Sequence, residues 1–131
     1  QIERLPAFLT AKRSISERYG DGLGDLPGIE LFPQAEWAES AYWFSGVALP
    51  DEQLLKPMIS ALNEDGIQAR PFWIPMHDQP PYANCPRADN LSVSNDIARR
   101  ILTLPCSTSL ELDDQAKVID RVRSHYLNLQ S

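Results

Sequence analysis

The most informative segment of this chain covers residues 66–82, which read GIQARPFWIPMHDQPPY, and it is followed at residues 101–105 by ILTLP. A helix is predicted to end at Gly66, because glycine readily adopts the left-handed conformation that often closes a helix. Residues 67–71 then alternate apolar and polar side chains, which indicates a strand with one covered face and directs Arg70 outward. The segment therefore predicts a strand that leads into an irregular, proline-rich rim.

This proline-rich rim is predicted to present His77 and Tyr82 close together. An imidazole in a turn can hydrogen-bond to a ligand oxygen, or it can serve the fold by bonding to the backbone nearby. Polar side chains in turns usually bond their neighbours, so the residues alone favour the structural interpretation and leave both open. His125, near the predicted end of the last helix, is interpreted as a solvated cap.

Outward from this segment, the chain alternates between helical and extended patterns. Apolar residues at three- and four-residue spacings predict helices, and short apolar or alternating runs predict strands. The predicted helices cover residues 7–19, 54–66, 91–100 and 112–126, and the predicted strands cover residues 29–32, 40–49, 67–71 and 101–104. The aromatic run at residues 40–49 is predicted to be a buried central strand. These elements predict an α/β (α+β) fold in which helices face a small sheet.

Local signals bear on where the helices begin and end. The glycine-rich residues 20–25 are predicted to end the first helix in a plain loop, because no strand precedes them and no Lys-Ser or Lys-Thr pair follows. Asp51 is a candidate N-cap for the second helix. Pro57 conflicts with a helix interior, so either that helix is kinked or it begins near Pro57. The residues of the last helix predicted to face inward are Leu112, Val118, Ile119, Val122 and Tyr126.

Composition and charge limit the class of protein. The chain has 131 residues, of which 43% are hydrophobic, so one domain with a substantial core is expected. Its formal net charge of -6 argues against binding to nucleic acid or to an anionic membrane, because both need a basic surface. The absence of a secretion signal and of a long apolar run predicts a soluble, cytoplasmic protein. Because Gln1 already reads as part of a helix, we expect a fragment of a longer protein.

The sequence contains few groups that typically carry chemistry. Cys85 and Cys106 have no second Cys nearby, so we expect free thiols and neither a zinc site nor a redox motif. Two His are too few for most histidine metal sites, and no Gly-x-Ser-x-Gly motif for a nucleophilic serine is present. We therefore predict no catalytic residue, no cofactor-binding residue and no metal ligand in this sequence.

Several motifs follow one another in the order of a known family. They are Leu-x-x-x-Gly-Ile at residues 62–67, Pro-Met-His at 75–77, an aromatic at Tyr82, Leu-Pro at 104–105 and Val-Ile at 118–119. In this order they resemble the C-terminal domain of the DegT/DnrJ/EryC1/StrS family, PLP-dependent aminotransferases that act on nucleotide-linked keto-sugars. The helix predicted at residues 1–20 is similar to the family helix that leads out of the large domain. The resemblance spans nearly the whole chain.

The resemblance implies a fold, a cofactor and a reaction. Residues 1–131 would form the C-terminal small domain of a fold-type I aminotransferase, with a small, mostly antiparallel sheet covered by helices. The complete enzyme would bind PLP, form a homodimer and convert a nucleotide-linked keto-sugar to an amino-sugar for surface glycans. Within the family, the aromatic and proline-rich rim is most similar to members that make 4-amino-sugars, including those of legionaminic-acid-type pathways.

The resemblance also implies that the catalytic groups lie elsewhere. A PLP enzyme needs a lysine for its Schiff base. Lys12, Lys56 and Lys117 are each predicted on a helix with surface-like neighbours, so none is a credible candidate. The catalytic groups would belong to a large domain before this chain, and the isolated chain would be inactive and bind no PLP. Phe8 and Ile15, predicted as exposed apolar residues of the first helix, would be contacts to that large domain.

What this domain would contribute is one wall of the substrate site. His77 matches a family histidine that approaches the nucleotide-sugar, which implies a hydrogen bond to a diphosphate or sugar oxygen. Arg70 either supplies positive charge to the same anion or pairs with a helix carboxylate. Trp73 and Tyr82 either pack against the sugar or base of the substrate, or pack within the core and the turn and so stabilise the fold.

A different class of function is the alternative to this assignment. The chain would then be an autonomous, non-catalytic α/β ligand-binding or regulatory module. In that case the proline-rich rim would itself recognise a small polar molecule.

Overall fold

A computed structural model describes residues 2–130 as alternating helices and short strands. The helices are α1 (Leu5–Leu23), α2 (Leu55–Glu64), α3 (Ser92–Arg100) and α4 (Leu112–Gln130), and the strands are β1 (Glu30–Leu31), β2 (Ser45–Ala48), β3 (Arg70–Pro71) and β4 (Ile101–Leu104). Short 3-10 turns cover Ile2–Arg4, Glu52–Leu54, Met76–Asp78 and Pro80–Tyr82. No helix in the described range is long and apolar enough to cross a membrane. Gln1, with which the first predicted helix begins, lies outside the described residues.

The strands form one sheet with the order β1-β2-β4-β3, and every neighbouring pair is antiparallel. The central pair, β2 and β4, runs in register from Ser45 opposite Leu104 to Ala48 opposite Ile101. The predicted fold class, a small antiparallel sheet with helices against it, is therefore confirmed.

The two faces of this sheet have different surroundings. On one side, the helix-covered face, Val47, Leu102 and Leu104 join a single core. The helical residues of that core are Ile15, Tyr19 and Leu23 of α1, Met58 and Leu62 of α2, and Val118, Val122 and Tyr126 of α4. Because strand side chains alternate, the opposite side carries Gly46, Ala48, Ile101, Thr103 and Arg70, and it is called the open face because the three core helices do not cover it. Ala48 and Ile101 are still buried at its centre, and Arg70 is exposed at its edge.

Gly46 lets the two central strands approach each other closely. A Cβ atom at this position would overlap the carbonyl oxygen of Leu102 on β4. Any larger residue must therefore push β2 away from β4, which would disturb the pairing that holds the sheet together.

The first helix is longer than the sequence predicts, so the loop expected at residues 20–25 begins only at Gly24. Helix α1 continues through Gly20 and Gly22 to Leu23. A Cβ on Gly22 would lie 2.6 Å from Cγ2 of Ile119, so the glycine allows α4 to pack against α1 at this level. Tertiary packing thus outweighs the low helix propensity of glycine.

Three predicted strands are shorter than expected, and the first, predicted at residues 29–32, covers only Glu30–Leu31. The run at residues 40–49 pairs only at 45–48, because Tyr42 has a φ of 43° that breaks the extended conformation. The chain before β2 therefore turns outward and leaves Trp43 69% exposed, which contradicts the prediction of a fully buried strand. In the run at residues 67–71, the amide of Ala69 donates to the Asn63 side chain at the end of α2, and only Arg70–Pro71 pairs with β4.

The conflict over Pro57 is resolved in favour of a late helix start. Asp51 accepts a hydrogen bond from the amide of Gln53 at 2.8 Å and so caps the 3-10 turn Glu52–Leu54 that leads into α2, whereas the N-cap of α2 itself is Leu54. Pro57 is then the third residue of α2. A proline in the first turn of a helix costs no internal hydrogen bond, so no kink is needed.

Three predicted environments are wrong. Ile15 is only 2% exposed and lies in the core, so it is no exposed inter-domain contact, whereas Phe8 is half-buried. Leu112 was expected inward but is 63% exposed at the start of α4. His125 is not a solvated cap, because α4 continues to Gln130 and the His125 Nε2 lies 2.7 Å from Oδ2 of Asp65 at the end of α2.

Candidate functional site

The proline-rich rim follows β3 and is held by local hydrogen bonds. The amide of Gln79 donates to the Met76 carbonyl, and the Gln79 side chain donates to the Ile74 carbonyl at 3.0 Å. Arg87 donates to the carbonyl oxygens of His77 at 2.8 Å and of Ala83 at 3.3 Å. The sequence did not single out Arg87, because a lone arginine among loop residues gives no pattern to recognise. Its guanidinium nevertheless ties both short turns of the rim together.

His77 is mostly enclosed by the chain itself. Its side chain is 12% exposed, and its Nε2 lies 2.5 Å from Oδ1 of Asn95 on α3. Oδ1 of Asp78 is 3.7 Å from the same nitrogen. The structural hydrogen bond expected for His77 thus exists, but it joins the rim to a helix side chain and not to the backbone.

His77 and Tyr82 lie together, as the sequence predicts. They line a cleft of about 310 Å³, the histidine cleft. The remaining residues of its lining are Met76, Cys85, Pro86, Arg87, Ala88 and Leu91. Tyr82 is 40% exposed, so a ligand in this cleft would meet an imidazole, a phenol and a guanidinium.

Arg70 and Trp73 lie in a second, larger cleft of about 1100 Å³, the aromatic cleft, between the rim and α3. The predicted site residues are therefore divided between two clefts, and Met76 lines both. Arg70 is the one charged residue among the described residues that line the aromatic cleft. Within residues 2–130 its guanidinium makes no ion pair with a helix carboxylate, while its backbone is fixed by Thr103, which donates to the Arg70 carbonyl at 2.8 Å.

Trp73 belongs to an aromatic quartet with Trp43, Phe44 and Phe72. The Trp73 and Phe44 rings meet edge to face at 4.8 Å, and the Trp73 and Trp43 rings are 5.9 Å apart. Trp73 is nevertheless 58% exposed, so it both packs within the quartet and presents a ring surface to the outside. Sequence reasoning missed Trp43 and Phe44 as its partners because it placed them in a buried strand.

The lysines differ in their surroundings. Lys12 does not have the surface-like neighbours that were expected, because its ammonium donates to the carbonyl oxygens of Trp43 at 2.7 Å and Cys106 at 2.6 Å. Lys117 donates to Asp114 at 3.1 Å on the exposed side of α4, and Lys56 is exposed on α2. Cys85 and Cys106 are free thiols, as predicted. The part of the chain that the structure describes contains no cluster of side chains able to hold a metal ion.

Comparison with known proteins identifies the family. The model of the DegT/DnrJ/EryC1/StrS aminotransferase family matches residues 1–123. GDP-perosamine synthase of Vibrio cholerae is 29% identical over 98% of this chain and 35% of its own length. The dTDP-4-dehydro-2,3,6-trideoxy-D-glucose 4-aminotransferase of Saccharopolyspora spinosa is 30% identical over 100% of this chain and 34% of its own length.

The fold agrees with a solved structure of the same kind. The aminotransferase TlmJ of Streptoalloteichus hindustanus superposes with a TM-score of 0.87 and 28% identity, over 98% of this chain and 34% of TlmJ. The chain thus spans about a third of the length of the relatives that it matches. The chain belongs to the DegT/DnrJ/EryC1/StrS aminotransferase family, as the order of its sequence motifs predicted.

Proposed function

We propose that this chain forms part of the substrate-binding wall of a PLP-dependent aminotransferase that converts a nucleotide-linked keto-sugar to an amino-sugar for surface glycans. The observation that carries the proposal is the histidine cleft, where His77, Tyr82 and Arg87 offer hydrogen-bonding groups around a space for a polar ligand. The relatives support the substrate class, since one is a GDP-perosamine synthase and another is named for a dTDP-linked sugar. A cytoplasmic location and a homodimeric complete enzyme are part of the same proposal.

The described residues do not fit the PLP cofactor. PLP supplies an electron sink once it is linked to a lysine amine, so a cofactor site needs a free amine directed into a cavity. The Lys12 ammonium is engaged by two carbonyl oxygens, Lys117 pairs with Asp114, and Lys56 lies on the outside of α2. We therefore assign the cofactor site to the part of the enzyme that the relatives have beyond the matched third.

The two clefts together suit an elongated ligand. Because Met76 lines both clefts, a nucleotide-sugar lying across it would meet His77 and Tyr82 at one end and Arg70 and Trp73 at the other. The exposed ring of Trp73 suits stacking on a sugar or a base. The guanidinium of Arg70, which has no ion pair within residues 2–130, suits a diphosphate, because charge-assisted hydrogen bonds to anions are among the stronger ones. The role of this chain would be to bind and orient the substrate.

The inactivity of the isolated chain is open to a direct test. Mixed with PLP and treated with borohydride, the chain should give no stoichiometric adduct at one defined lysine. A single-site adduct at Lys12 would contradict the assignment of the cofactor site to another domain. The histidine cleft would also suit the alternative of an autonomous ligand-binding or regulatory module, but the family match favours the aminotransferase.

The contact between His77 and substrate is tested in the complete enzyme. His77→Ala should weaken nucleotide-sugar binding roughly three- to tenfold, the value of one hydrogen bond, and leave PLP affinity unchanged. His125→Ala is the matched control, because His125 pairs with Asp65 at the end of α2 and lines neither cleft. Calorimetric titration of each ligand measures both affinities. Equal losses for PLP and nucleotide-sugar would identify His77 as a structural residue only.

A further inference from the structure

The ring of His77 has two oxygen atoms on one side. Its Nε2 lies 2.5 Å from Oδ1 of Asn95 and 3.7 Å from Oδ1 of Asp78. The first distance is that of a hydrogen bond, and the second is too long for one. Since an amide oxygen and a carboxylate oxygen are both acceptors, both favour a proton on Nε2.

The position of this proton decides what the rest of the ring can do. In a neutral imidazole one nitrogen is a donor and the other is an acceptor, and the hydrogen bond at one nitrogen sets the role of the other. With the proton on Nε2, the Nδ1 atom of His77 is an acceptor. A phosphate oxygen, which is itself an acceptor, finds no partner there.

Asn95 is well placed to hold the ring because it lies on a regular element. The backbone N–H of Asn95 donates to the carbonyl oxygen of Leu91, so Asn95 lies in the first turn of α3. The other end of α3 is tied to the sheet through Arg100, which donates to the Leu49 carbonyl at 2.7 Å. Arg87 meanwhile holds the backbone of His77 through its carbonyl oxygen. The ring and the backbone of His77 are therefore fixed from two different directions.

We propose that Asn95 is a positioning residue that keeps the proton of His77 on Nε2, so that Nδ1 accepts a hydrogen bond from a donor on the substrate. That donor is a hydroxyl of the sugar or an N–H of the base, and not the diphosphate. The inference rests on the proposed function of the histidine cleft. Of the two partners that the family resemblance implied for His77, it excludes the diphosphate and leaves the sugar. Arg70 and Arg87 are left as the cationic groups for an anion.

The proton position is measured without any ligand. Two-bond ¹H–¹⁵N spectra of the chain distinguish the tautomers of His77 and His125, the two His of the sequence. In mildly alkaline buffer, where imidazole is ordinarily neutral, we expect Nε2 of His77 to have the protonated type of ¹⁵N shift and Nδ1 the unprotonated type. A dominant Nδ1–H tautomer, or an even mixture, would overturn the proposal.

Variants of Asn95 separate positioning from general support of the fold. Asn95→Ala should shift His77 towards a mixture of tautomers, while Asn95→Asp, which keeps an acceptor oxygen, should preserve the Nε2–H form. Ser94→Ala, an exposed neighbour on α3, is the matched control and should change nothing. If Asn95→Ala does not fold, which the His125 signals report, Asn95→Leu fills the same space without an acceptor. An unchanged tautomer in a folded Asn95→Ala or Asn95→Leu chain contradicts the proposal.

The direction of the ligand contact is tested with two probes. We expect dTDP-glucose, which carries hydroxyls and a base N–H, to shift the Nδ1 resonance of His77, and inorganic pyrophosphate to leave it unchanged. A shift with pyrophosphate alone would overturn the proposed direction. If neither probe moves Nδ1 while the tautomer still depends on Asn95, positioning stands and the proposed function of the cleft fails.

Discussion

The two faces of the sheet differ in how far they are covered: the helix-covered face lies in the core, whereas the open face is buried at Ala48 and Ile101 but exposed at Arg70 and along the adjoining rim. On the helix-covered face, Val47 and Leu102 are fully buried beneath three helices. Beside the open face, Trp73 is 58% exposed and Trp43 is 69% exposed. Large apolar surfaces that stay exposed usually mark interaction sites. The covered face therefore provides stability, whereas the rim beside the open face leaves apolar surface available to a ligand or to another protein surface.

Polar groups follow the same division. Near the core, Gln115 donates to the Ile15 carbonyl at 2.8 Å and accepts from Arg18 at 2.6 Å. The hydroxyl of Tyr19 donates to the Pro105 carbonyl at 2.7 Å. The guanidinium of Arg70, on the open face, has no ion-pair partner within residues 2–130. Most buried polar groups are paired because an unpaired one costs stability, whereas an exposed cation can stay unpaired and available to a ligand.

Truncating one residue on each side of the sheet should produce the largest contrast. Leu102→Ala removes a fully buried side chain of the core and should lower the free energy of unfolding by about 2–5 kcal/mol. Ile97→Ala, at a 42% exposed position beside the aromatic cleft, should cost only about 0.5 kcal/mol. Urea denaturation followed by circular dichroism measures both. Equal losses would mean that α3 is as much a part of the core as β4.

Gly46→Ala should be the next most damaging change. The new Cβ would overlap the Leu102 carbonyl, so we expect a loss of about 1–3 kcal/mol from strained pairing of β2 and β4. Gly20→Ala, within α1, is the matched control, because the new Cβ would lie at an ordinary contact distance of 3.5 Å from the Leu31 side chain. Alanine is the better helix former, so this variant should gain about 0.5–1 kcal/mol. If Gly46→Ala leaves the free energy of unfolding unchanged, the close approach of β2 and β4 is contradicted.

Alkaline pH should destabilise the covered face through its tyrosines. Desolvation by burial raises the pKa of Tyr19 and of Tyr126, so both phenols stay protonated in the folded chain beyond their ordinary range. A raised folded-state pKa gives stability that is fully present below the unfolded tyrosine pKa of about 10 and is lost as the pH rises above it. Urea midpoints measured from neutral to alkaline pH should therefore fall above about pH 10.

The tyrosine prediction has an internal control. The double variant Tyr19→Phe and Tyr126→Phe should start from lower stability at neutral pH, because the carbonyl oxygens of Pro105 and Pro27 lose their donors. Its midpoint should then decline less at alkaline pH than that of the wild type. Parallel declines in the two proteins would assign the alkaline effect to other groups.

Ser45 is an exception on the covered face and should give the smallest effect. It is 2% exposed, and among the described residues its hydroxyl is buried without a hydrogen-bond partner. Ser45→Ala removes this unpaired group and should be neutral or stabilising by about 1 kcal/mol. Ser40→Ala is the control, because the Ser40 hydroxyl accepts from the Tyr42 amide and its loss should cost about 0.5–1 kcal/mol. A large loss of unfolding free energy for Ser45→Ala would contradict this prediction, because it would mean that the Ser45 hydroxyl makes a hydrogen bond.

Local patterns predicted the elements that depend on local forces. The apolar spacing located all the main helices, Asp51 marked the 3-10 turn that leads into the second one, and the run at residues 101–104 became β4. The errors fall where distant residues intervene. Gly22 is helical because α4 packs against it, and His125 meets Asp65 from another helix. Neither contact leaves a signal in the neighbouring sequence.

The candidate site shows the same limit. The sequence brought His77 and Tyr82 together correctly, because only four residues of a proline-stiffened turn separate them. It could not show that Arg70 and Trp73 line another cleft, nor that Asn95 reaches Nε2 of His77 from eighteen residues away. Those relations depend on how α3 folds back along the rim.

The sequence by itself determined the family, the classes of its elements and the polar character of the rim, because motif order, periodicity and turn residues are properties of neighbouring positions. Tertiary structure alone decided which face of the sheet is closed, how the site residues divide between two clefts, and which atom holds the ring of His77. Such pairings join residues that lie far apart along the chain, and packing of the whole domain selects them.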